Sequence, residues 1–232
     1  MQQHQSESRQ EICPLCSYAS VSDYDKDGFR SYLQCKECCL VFVPQKFHLS
    51  SEDEREVYDL HQNSPDDPGY RQFLSRLTDP LLDRLAPKSY GLDFGSGPEP
   101  TLSVMLAEQG HQMSIYDPYY APNKPALTDR YDFITSTEVV EHLAAPGQEL
   151  NRLWALLKPG GWLGIMTKLV INQSAFGSWH YKNDPTHISF FSIRTFQHLA
   201  QCWETHAELF GKDVILINKT MENSRRQTSR RS

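Results

Sequence analysis

The apolar positions of this chain follow two patterns, which together predict an α/β protein. Between Ser50 and Leu85 they recur at helical spacing, with Ser50 or Ser51 as a helix cap and an interruption at Pro80. From Ser89 onward, short apolar runs are bounded by turn residues and are typical of buried strands. These runs are residues 91–94, 113–116, 131–135 and 162–166.

The first run ends in a glycine-rich turn. Gly91–Gly97 is an apolar strand that continues into Asp-x-Gly-x-Gly, and such glycines let the backbone approach a nucleotide-like ligand where a Cβ atom would clash. Asp117 ends the second run, 24 residues after Asp93, and its carboxylate can accept both hydroxyls of a ribose. Pro98-Glu99-Pro100 follows the turn without a third glycine, which disfavours a dehydrogenase.

The order of these motifs resembles the class I S-adenosylmethionine-dependent methyltransferases from about Ser89 to Lys219. The glycine turn, the acidic second strand, the glutamate-rich segment after residues 131–135 and the turn at Lys158-Pro159-Gly160-Gly161 occur in the family's order. The resemblance implies a Rossmann-like methyltransferase sheet with helices on both faces, and S-adenosylmethionine as the cofactor. The residues implied for cofactor binding are Asp93, Gly95, Gly97, Asp117 and Thr135.

The chain departs from that family after Asp117. Only Pro118–Arg130 separates Asp117 from the next apolar run, and this segment contains three prolines. We therefore expect the usual helix and third strand to be shortened or absent. Adenine recognition in that region does not follow from the sequence.

Five of the six cysteines lie in the first 45 residues, as two paired knuckles. The spacing C-x2-C-x18-C-x2-C predicts a structural zinc ribbon, with a hairpin that turns at residues 25–28. The alternative is a pair of disulfides, which a reducing compartment disfavours. Cys39 is a spare thiol that can replace Cys38, and Cys202 is expected in the core of a later helix. The predicted zinc ligands are Cys13, Cys16, Cys35 and Cys38.

A second cluster of ligand-type residues follows the strand at 131–135. Glu138, Glu141 and His142 have the spacing i, i+3 and i+4, so on a helix they share one face at the carboxyl edge of the sheet. His180 and His187 lie about 45 residues later, in a loop expected over the same edge. The set predicts a site for Mg²⁺, Mn²⁺, Fe²⁺ or Zn²⁺, while loop capping and packing are the alternative.

Glu138, Glu141, His142 and His187 resemble the metal site of the small-RNA 3′-terminal 2′-O-methyltransferases, and the ubiquinone-pathway O-methyltransferases carry a similar Glu-x-x-Glu-His segment. The resemblance is local, and no RNA-binding part is evident. Under the metal hypothesis a divalent ion lowers the pKa of an acceptor hydroxyl. We assign His180 as the candidate base and His142 and His187 as the other candidate catalytic residues.

Composition limits the remaining choices. The formal charge of −6 disfavours a broadly basic surface, so a small acceptor is favoured over RNA. The N-terminus has no signal-peptide pattern and no run is long enough for a membrane helix, so a cytoplasmic location is expected. We predict a zinc ribbon at 1–45, a helical bridge at 46–88, a methyltransferase domain at 89–221 and a disordered basic tail at 222–232.

The sequence therefore predicts a methyltransferase that methylates an oxygen of a diol- or catechol-like acceptor with the help of a metal. Two alternatives remain open, which are metal-free N- or C-methylation and an inactive scaffold that retains the cofactor as a ligand. The oligomeric state is not predicted.

Overall fold

The computed structural model describes residues 11–60 and 64–220. The predicted basic tail at 222–232 lies outside these residues. The strands are β1 Val21–Lys26, β2 Ser31–Cys35, β3 Val41–Phe42, β4 Tyr90–Phe94, β5 Gln112–Tyr116, β6 Tyr131–Thr137, β7 Leu157–Met166, β8 Ser189–Phe190, β9 Ala207–Phe210 and β10 Val214–Asn218. The helices are α1 Ser51–Tyr58, α2 Pro68–Leu82, α3 Thr101–Glu108, α4 Pro146–Leu156, α5 Gln173–Gly177 and α6 Ile193–Cys202.

A six-stranded sheet with the order β5-β4-β6-β7-β10-β9 forms the centre of the protein. The first four strands are parallel, whereas β10 is antiparallel to β7 and β9 is antiparallel to β10. Parallel strands in this arrangement end at one common edge, and a ligand site is expected outside that edge. The predicted α/β fold class is confirmed.

Helices cover both faces of this sheet because its strands are apolar on both sides. Along β10, Val214 and Leu216 pack with α2 and α3, whereas Ile215 and Ile217 pack with α4 and α6. This alternation is the two-residue period of a strand buried on both faces. α2 is thus one of the helices that lie directly on the central sheet.

Pro80 does not interrupt α2, although the sequence predicted a break there. The helix continues for two residues beyond Pro80, to Leu82. Its start is also well defined, because the Asp67 carboxylate accepts hydrogen bonds from the amides of Gly69 and Tyr70 and Pro68 occupies the first helical position.

The segment after Asp117 is short, as the sequence predicted. It contains a 3₁₀ turn at Lys124–Leu127 and passes directly into β6. β4 consequently has β5 as its outer neighbour, and β5 is the edge strand of the central sheet.

The N-terminal cysteines belong to a second, four-stranded sheet with the order β1-β2-β3-β8. The predicted hairpin is present as β1 and β2, with its turn at residues 27–30 instead of 25–28, and β8 is contributed by residues far along the chain. The N-terminal segment also shares a core with the helices of the central sheet, because Leu15 and Leu40 pack with Leu150 of α4. Gly147 permits this approach, since a Cβ atom there would overlap the carbonyl of Leu15.

Cys202 was expected in the core, but it is exposed at the end of α6. None of the helices in the described ranges is long and apolar enough to cross a bilayer.

Candidate active site

A cleft of about 800 Å³ opens at the carboxyl ends of β4, β5 and β6. This volume and position are typical of a cofactor and substrate site in a doubly wound sheet. The glycine turn after β4 and the loop at 184–188 both line it, and residues from α1 also contribute to its lining.

The glycine turn has the backbone that its sequence predicts. Gly95 and Gly97 have φ values of 77° and 64°, in the left-handed region that glycine adopts without strain. A Cβ atom on Gly95 would overlap the side chain of Val139, whereas the Cβ position of Gly97 faces open space. Both residues line the cleft, so the backbone is accessible to a ligand at this point.

Asp117 organises the cleft and is almost completely buried. Its Oδ2 accepts a hydrogen bond from the amide of Gly97 at 3.0 Å, and its Oδ1 accepts from the amides of Tyr119 and Tyr120 at 2.9 and 3.0 Å. A carboxylate has about four acceptor positions, so one remains for a ligand hydroxyl, where the sequence predicted two such contacts.

Asp93 and Thr135 lie behind the cleft and are not among the residues that line it. The Asp93 carboxylate accepts hydrogen bonds from Thr135 Oγ1 at 2.9 Å and from Ser103 Oγ at 3.1 Å. Burial raises the pKa of Asp93 to about 6. These contacts join β4, β6 and α3, so the pair supports the glycine turn from below.

A buried hydroxyl in the wall of the cleft indicates where a ligand would bind. The Thr137 hydroxyl is buried and has no hydrogen-bond partner within the described residues, and Thr137 lines the cleft. A buried hydroxyl normally has a partner, and a polar group of a bound ligand would provide one. Together with the exposed glycine backbone and Asp117, this fits S-adenosylmethionine.

α1 covers the cleft through one glutamate. Glu54 accepts a hydrogen bond from Tyr58 at one carboxylate oxygen and from Tyr119 at the other, each at 2.8 Å. The ring of Tyr58 packs edge-on against His142, with 5.2 Å between the ring centroids. The sequence predicted a helical bridge here but did not identify Glu54, because a glutamate on an acidic helix usually faces solvent.

Three of the four predicted ligands of the second metal come together. Glu141, His142 and His187 each offer a ligand atom, and these atoms lie within 4.8 Å of one another. Nδ1 of His142 lies 3.2 Å from the carbonyl of Thr186, and Nδ1 of His187 lies 2.7 Å from the carbonyl of Tyr181. Metal-binding histidines commonly donate one ring N–H to a carbonyl and present the other nitrogen to the ion.

Glu141 is fully buried and held by two hydroxyl groups. Thr167 Oγ1 donates to Oε2 at 3.0 Å, and the Tyr181 hydroxyl donates to Oε1. Burial raises the pKa of Glu141 to about 7, and it lowers the pKa of His187, assisted by the neighbouring His142. Tyr181 and Thr167 were not predicted from the sequence, since nothing in their local pattern marks them as partners of Glu141.

Glu138 does not share a helical face with Glu141, contrary to the spacing argument. Its φ is 51°, in the left-handed region, and the helical turn that follows is a short 3₁₀ segment at Val140–His142. Glu138 is therefore outside the three-residue group, although it lines the cleft and lies 3.3 Å from the Tyr181 hydroxyl. Burial, with Glu141 nearby, raises the pKa of Glu138 to about 8.

His180, the predicted base, is exposed and is not among the residues that line the cleft. Its Nε2 lies 3.4 Å from Nζ of Lys168. His187, seven residues later, reaches the cleft instead because the chain turns back through a 3₁₀ segment at His180–Asn183.

The four predicted zinc cysteines also come together. Cys13, Cys16, Cys35 and Cys38 present Sγ atoms within 4.8 Å of one another, and two of the Sγ–Sγ distances are 3.5 Å. A zinc–sulfur distance of about 2.3 Å gives a tetrahedral edge of about 3.8 Å, so the thiols fit a zinc ion with small adjustments. Cys39 has a φ of 61° and lies outside this group.

Residues 69–202 match the family described as methyltransferase domain, and the chain belongs to this family. The chain is 29% identical over 77 residues to a ubiquinone biosynthesis O-methyltransferase from Aeromonas salmonicida, a match that covers 33% of this chain and 32% of that protein. The fold is similar to that of an S-adenosylmethionine-dependent methyltransferase from Archaeoglobus fulgidus, with 15% identity, a TM-score of 0.50 and coverage of 64% of this chain and 94% of that one.

A putative S-adenosylmethionine-dependent methyltransferase from Methanococcus maripaludis is 17% identical, with a TM-score of 0.49 and coverage of 76% and 94% of the two chains. The family match over residues 69–202 shows that the domain around the cleft is a methyltransferase domain, as the sequence predicted.

Proposed function

We propose that this protein transfers the methyl group of S-adenosylmethionine to an oxygen of a small diol- or catechol-like acceptor, with a divalent ion held by Glu141, His142 and His187. The observation that carries the proposal is the convergence of these three ligand groups in a cleft that the glycine turn also lines. Two imidazoles and a carboxylate suit Mn²⁺, Fe²⁺ or Zn²⁺, and Mg²⁺ is less favoured because it prefers oxygen ligands.

In this proposal the cofactor supplies an electrophilic methyl group on a sulfonium centre, and the protein's task is to place the acceptor oxygen in line and remove its proton. Positioning of this kind requires a separation of about 3–3.5 Å between the reacting atoms. Gly95, Gly97 and Asp117 would hold the cofactor, and Glu141, His142 and His187 would hold the ion that lowers the pKa of the acceptor hydroxyl, so that its proton passes to solvent.

Part of the cleft wall is aromatic and apolar. Tyr58 and Tyr70 line it together with Phe73 and Leu49. Such walls favour a flat or apolar acceptor body, while an ion held by Glu141, His142 and His187 would select for adjacent oxygens. A small acceptor therefore agrees better with this cleft than a nucleic acid does, and the overall charge of −6 supports the same choice.

The direct test is methyl transfer from methyl-labelled S-adenosylmethionine to a panel of catechols and vicinal diols, with Mn²⁺ or Mg²⁺ added. We expect turnover that a moderate chelator abolishes and added metal restores. His187→Ala should reduce turnover at least about 100-fold with little change in cofactor affinity, whereas His206→Ala, an exposed histidine outside the lining of the cleft, should be neutral.

Metal-free N- or C-methylation is the second candidate, and the hydrogen bonds to Glu141 favour it, because they give each oxygen of that carboxylate one partner without an ion. Turnover of an amine or carbon acceptor that is insensitive to the chelator would support this alternative. Cofactor binding without turnover of any acceptor would support the scaffold.

A further inference from the structure

Arg30 connects the zinc ribbon to the loop that carries His187. It lies in the turn between β1 and β2 and is only 8% exposed. Its Nη2 donates to the carbonyls of Lys182 and Asp184, the second at 2.8 Å, and its Nη1 donates to the carbonyl of Pro185 at 3.1 Å. One side chain of the ribbon thus holds three carbonyls immediately before His187.

The ribbon supports this arginine with further polar contacts. Nε of Arg30 donates to the Tyr32 hydroxyl at 3.0 Å, and that hydroxyl donates to Asp27 at 2.6 Å. Lys182 has an almost fully buried side chain, and its Nζ lies 2.5 Å from the carboxylate of Asp25. The buried ammonium of Lys182 is therefore paired with a ribbon carboxylate, and the Arg30 guanidinium is connected to Asp27 through the Tyr32 hydroxyl.

The ribbon also holds the chain on the other side of His187. The amide of Val43 donates to the carbonyl of Ile188 at 2.9 Å, and β3 then pairs with β8 at Ser189–Phe190. The amide of Ile188 donates to the carbonyl of Glu141 at 2.8 Å. His187 is thus fixed between two attachments to the ribbon and one to the strand-end turn that carries the other two ligands.

We propose that Arg30 is a positioning residue that sets the orientation of His187 in the cleft, so that the zinc ribbon is a working part of the acceptor site. A guanidinium is suited to this role because its planar group presents five N–H donors in a fixed geometry, which a lysine ammonium does not reproduce. The importance of His187 for catalysis rests on the proposed function, but its orientation by Arg30 does not.

Nuclear magnetic resonance of protein labelled at the histidine ring tests this inference on the full chain. The signal of His187 is assigned by its loss in His187→Gln. In the wild type we expect a ring N–H of His187 that exchanges slowly with water, because Nδ1 lies 2.7 Å from the Tyr181 carbonyl. Arg30→Ala and Arg30→Lys should each lose this slow exchange and shift the ring signals, with zinc content equal to that of the wild type.

Lys36→Ala is the matched control, since Lys36 is an exposed basic residue of the ribbon. It should leave the His187 signals unchanged. If Arg30→Ala retains zinc and its His187 signals superimpose on those of the wild type, the inference is overturned. Should Arg30→Ala fail to fold, Arg30→Lys gives the same decision, because superimposable signals in that variant also overturn it.

Titration with Mn²⁺ separates this inference from the proposed function. With both correct, Arg30→Lys weakens Mn²⁺ binding by about 10–100-fold, as changes to the supporting shell of a metal ligand commonly do. If the wild type binds no Mn²⁺ but the His187 signals still depend on Arg30, the proposed metal site fails and the positioning role of Arg30 stands.

Discussion

Asp117 accepts a hydrogen bond from the amide of Gly97 at 3.0 Å, so the acidic residue that follows β5 is tied directly to the glycine turn that follows β4. The same carboxylate accepts two more hydrogen bonds, from the amides of Tyr119 and Tyr120. The hydroxyl of Tyr119 in turn donates to Glu54 of α1. The glycine turn, the end of β5 and the helix over the cleft are thus connected through one side chain.

Asp117→Ala should weaken binding of S-adenosylhomocysteine by about 1–3 kcal/mol, because it removes a ligand acceptor and leaves three amides without their partner. Isothermal calorimetry measures the effect. Asp23→Ala, a change at an exposed ribbon aspartate, is the control and should be neutral. Unchanged affinity in Asp117→Ala would remove this residue from the cofactor site.

Gly95→Ala should destabilise the fold more than Gly97→Ala. Both positions carry the backbone cost of a left-handed residue, about 1–2 kcal/mol, but only at Gly95 does the added Cβ also overlap Val139. Urea unfolding of the two variants measures the difference, and Gly95→Val should be worse than Gly95→Ala. Equal losses at the two glycines would show that this overlap is relieved at no cost.

The ribbon should carry one zinc ion per chain, which Cys13→Ser or Cys35→Ser releases. Cys39→Ser is a matched control, since this cysteine is adjacent in sequence but outside the four-thiol group. Loss of zinc should also destabilise the small sheet, because metal binding and folding are coupled in so small a unit. Elemental analysis gives the zinc content. Folded protein without zinc, with Cys13 or Cys16 in a disulfide, would contradict the prediction of a zinc ribbon.

Asp93 should give the stability a defined pH dependence. Its pKa is about 6 in the fold and about 4 in an unfolded chain, so the folded state binds the extra proton between these values. The contribution of Asp93 therefore becomes unfavourable as pH rises from about 4 to 6, by up to about 3 kcal/mol. Asp93→Asn should remove this trend, as measured by urea unfolding at pH 4.5 and 7.5. If the free energy of unfolding changes with pH equally in the wild type and in Asp93→Asn, the prediction is contradicted.

The fold was largely predictable from the sequence because its signals are local. Apolar runs predict β4, β5 and β6, and paired cysteine knuckles predict a four-thiol group. The glycines of the turn indicate a left-handed backbone, which Gly95 and Gly97 adopt. β8 was not predictable, since a two-residue strand has no pattern of its own and exists only because β3 lies beside it.

The site was predictable only in part, for a similar reason. The i, i+3, i+4 spacing places Glu138 on a shared face only if the segment is a helix, but Glu138 lies in the left-handed region just before a short 3₁₀ turn. The choice between His180 and His187 depends on how the loop is held, and that loop is fixed by Arg30, which is about 150 residues earlier in the chain. Tertiary contacts of this kind leave no trace in local spacing.

The most direct test of the central claim is a crystal of the protein grown with S-adenosylhomocysteine and Mn²⁺, measured for anomalous scattering at the manganese edge. The proposal predicts one peak in the cleft, within about 2.3 Å of a Glu141 carboxylate oxygen and of one ring nitrogen from each of His142 and His187. Crystals of His187→Ala should lack it. Well-ordered crystals with S-adenosylhomocysteine bound, the three side chains in place and no manganese peak between them would contradict a metal-assisted mechanism.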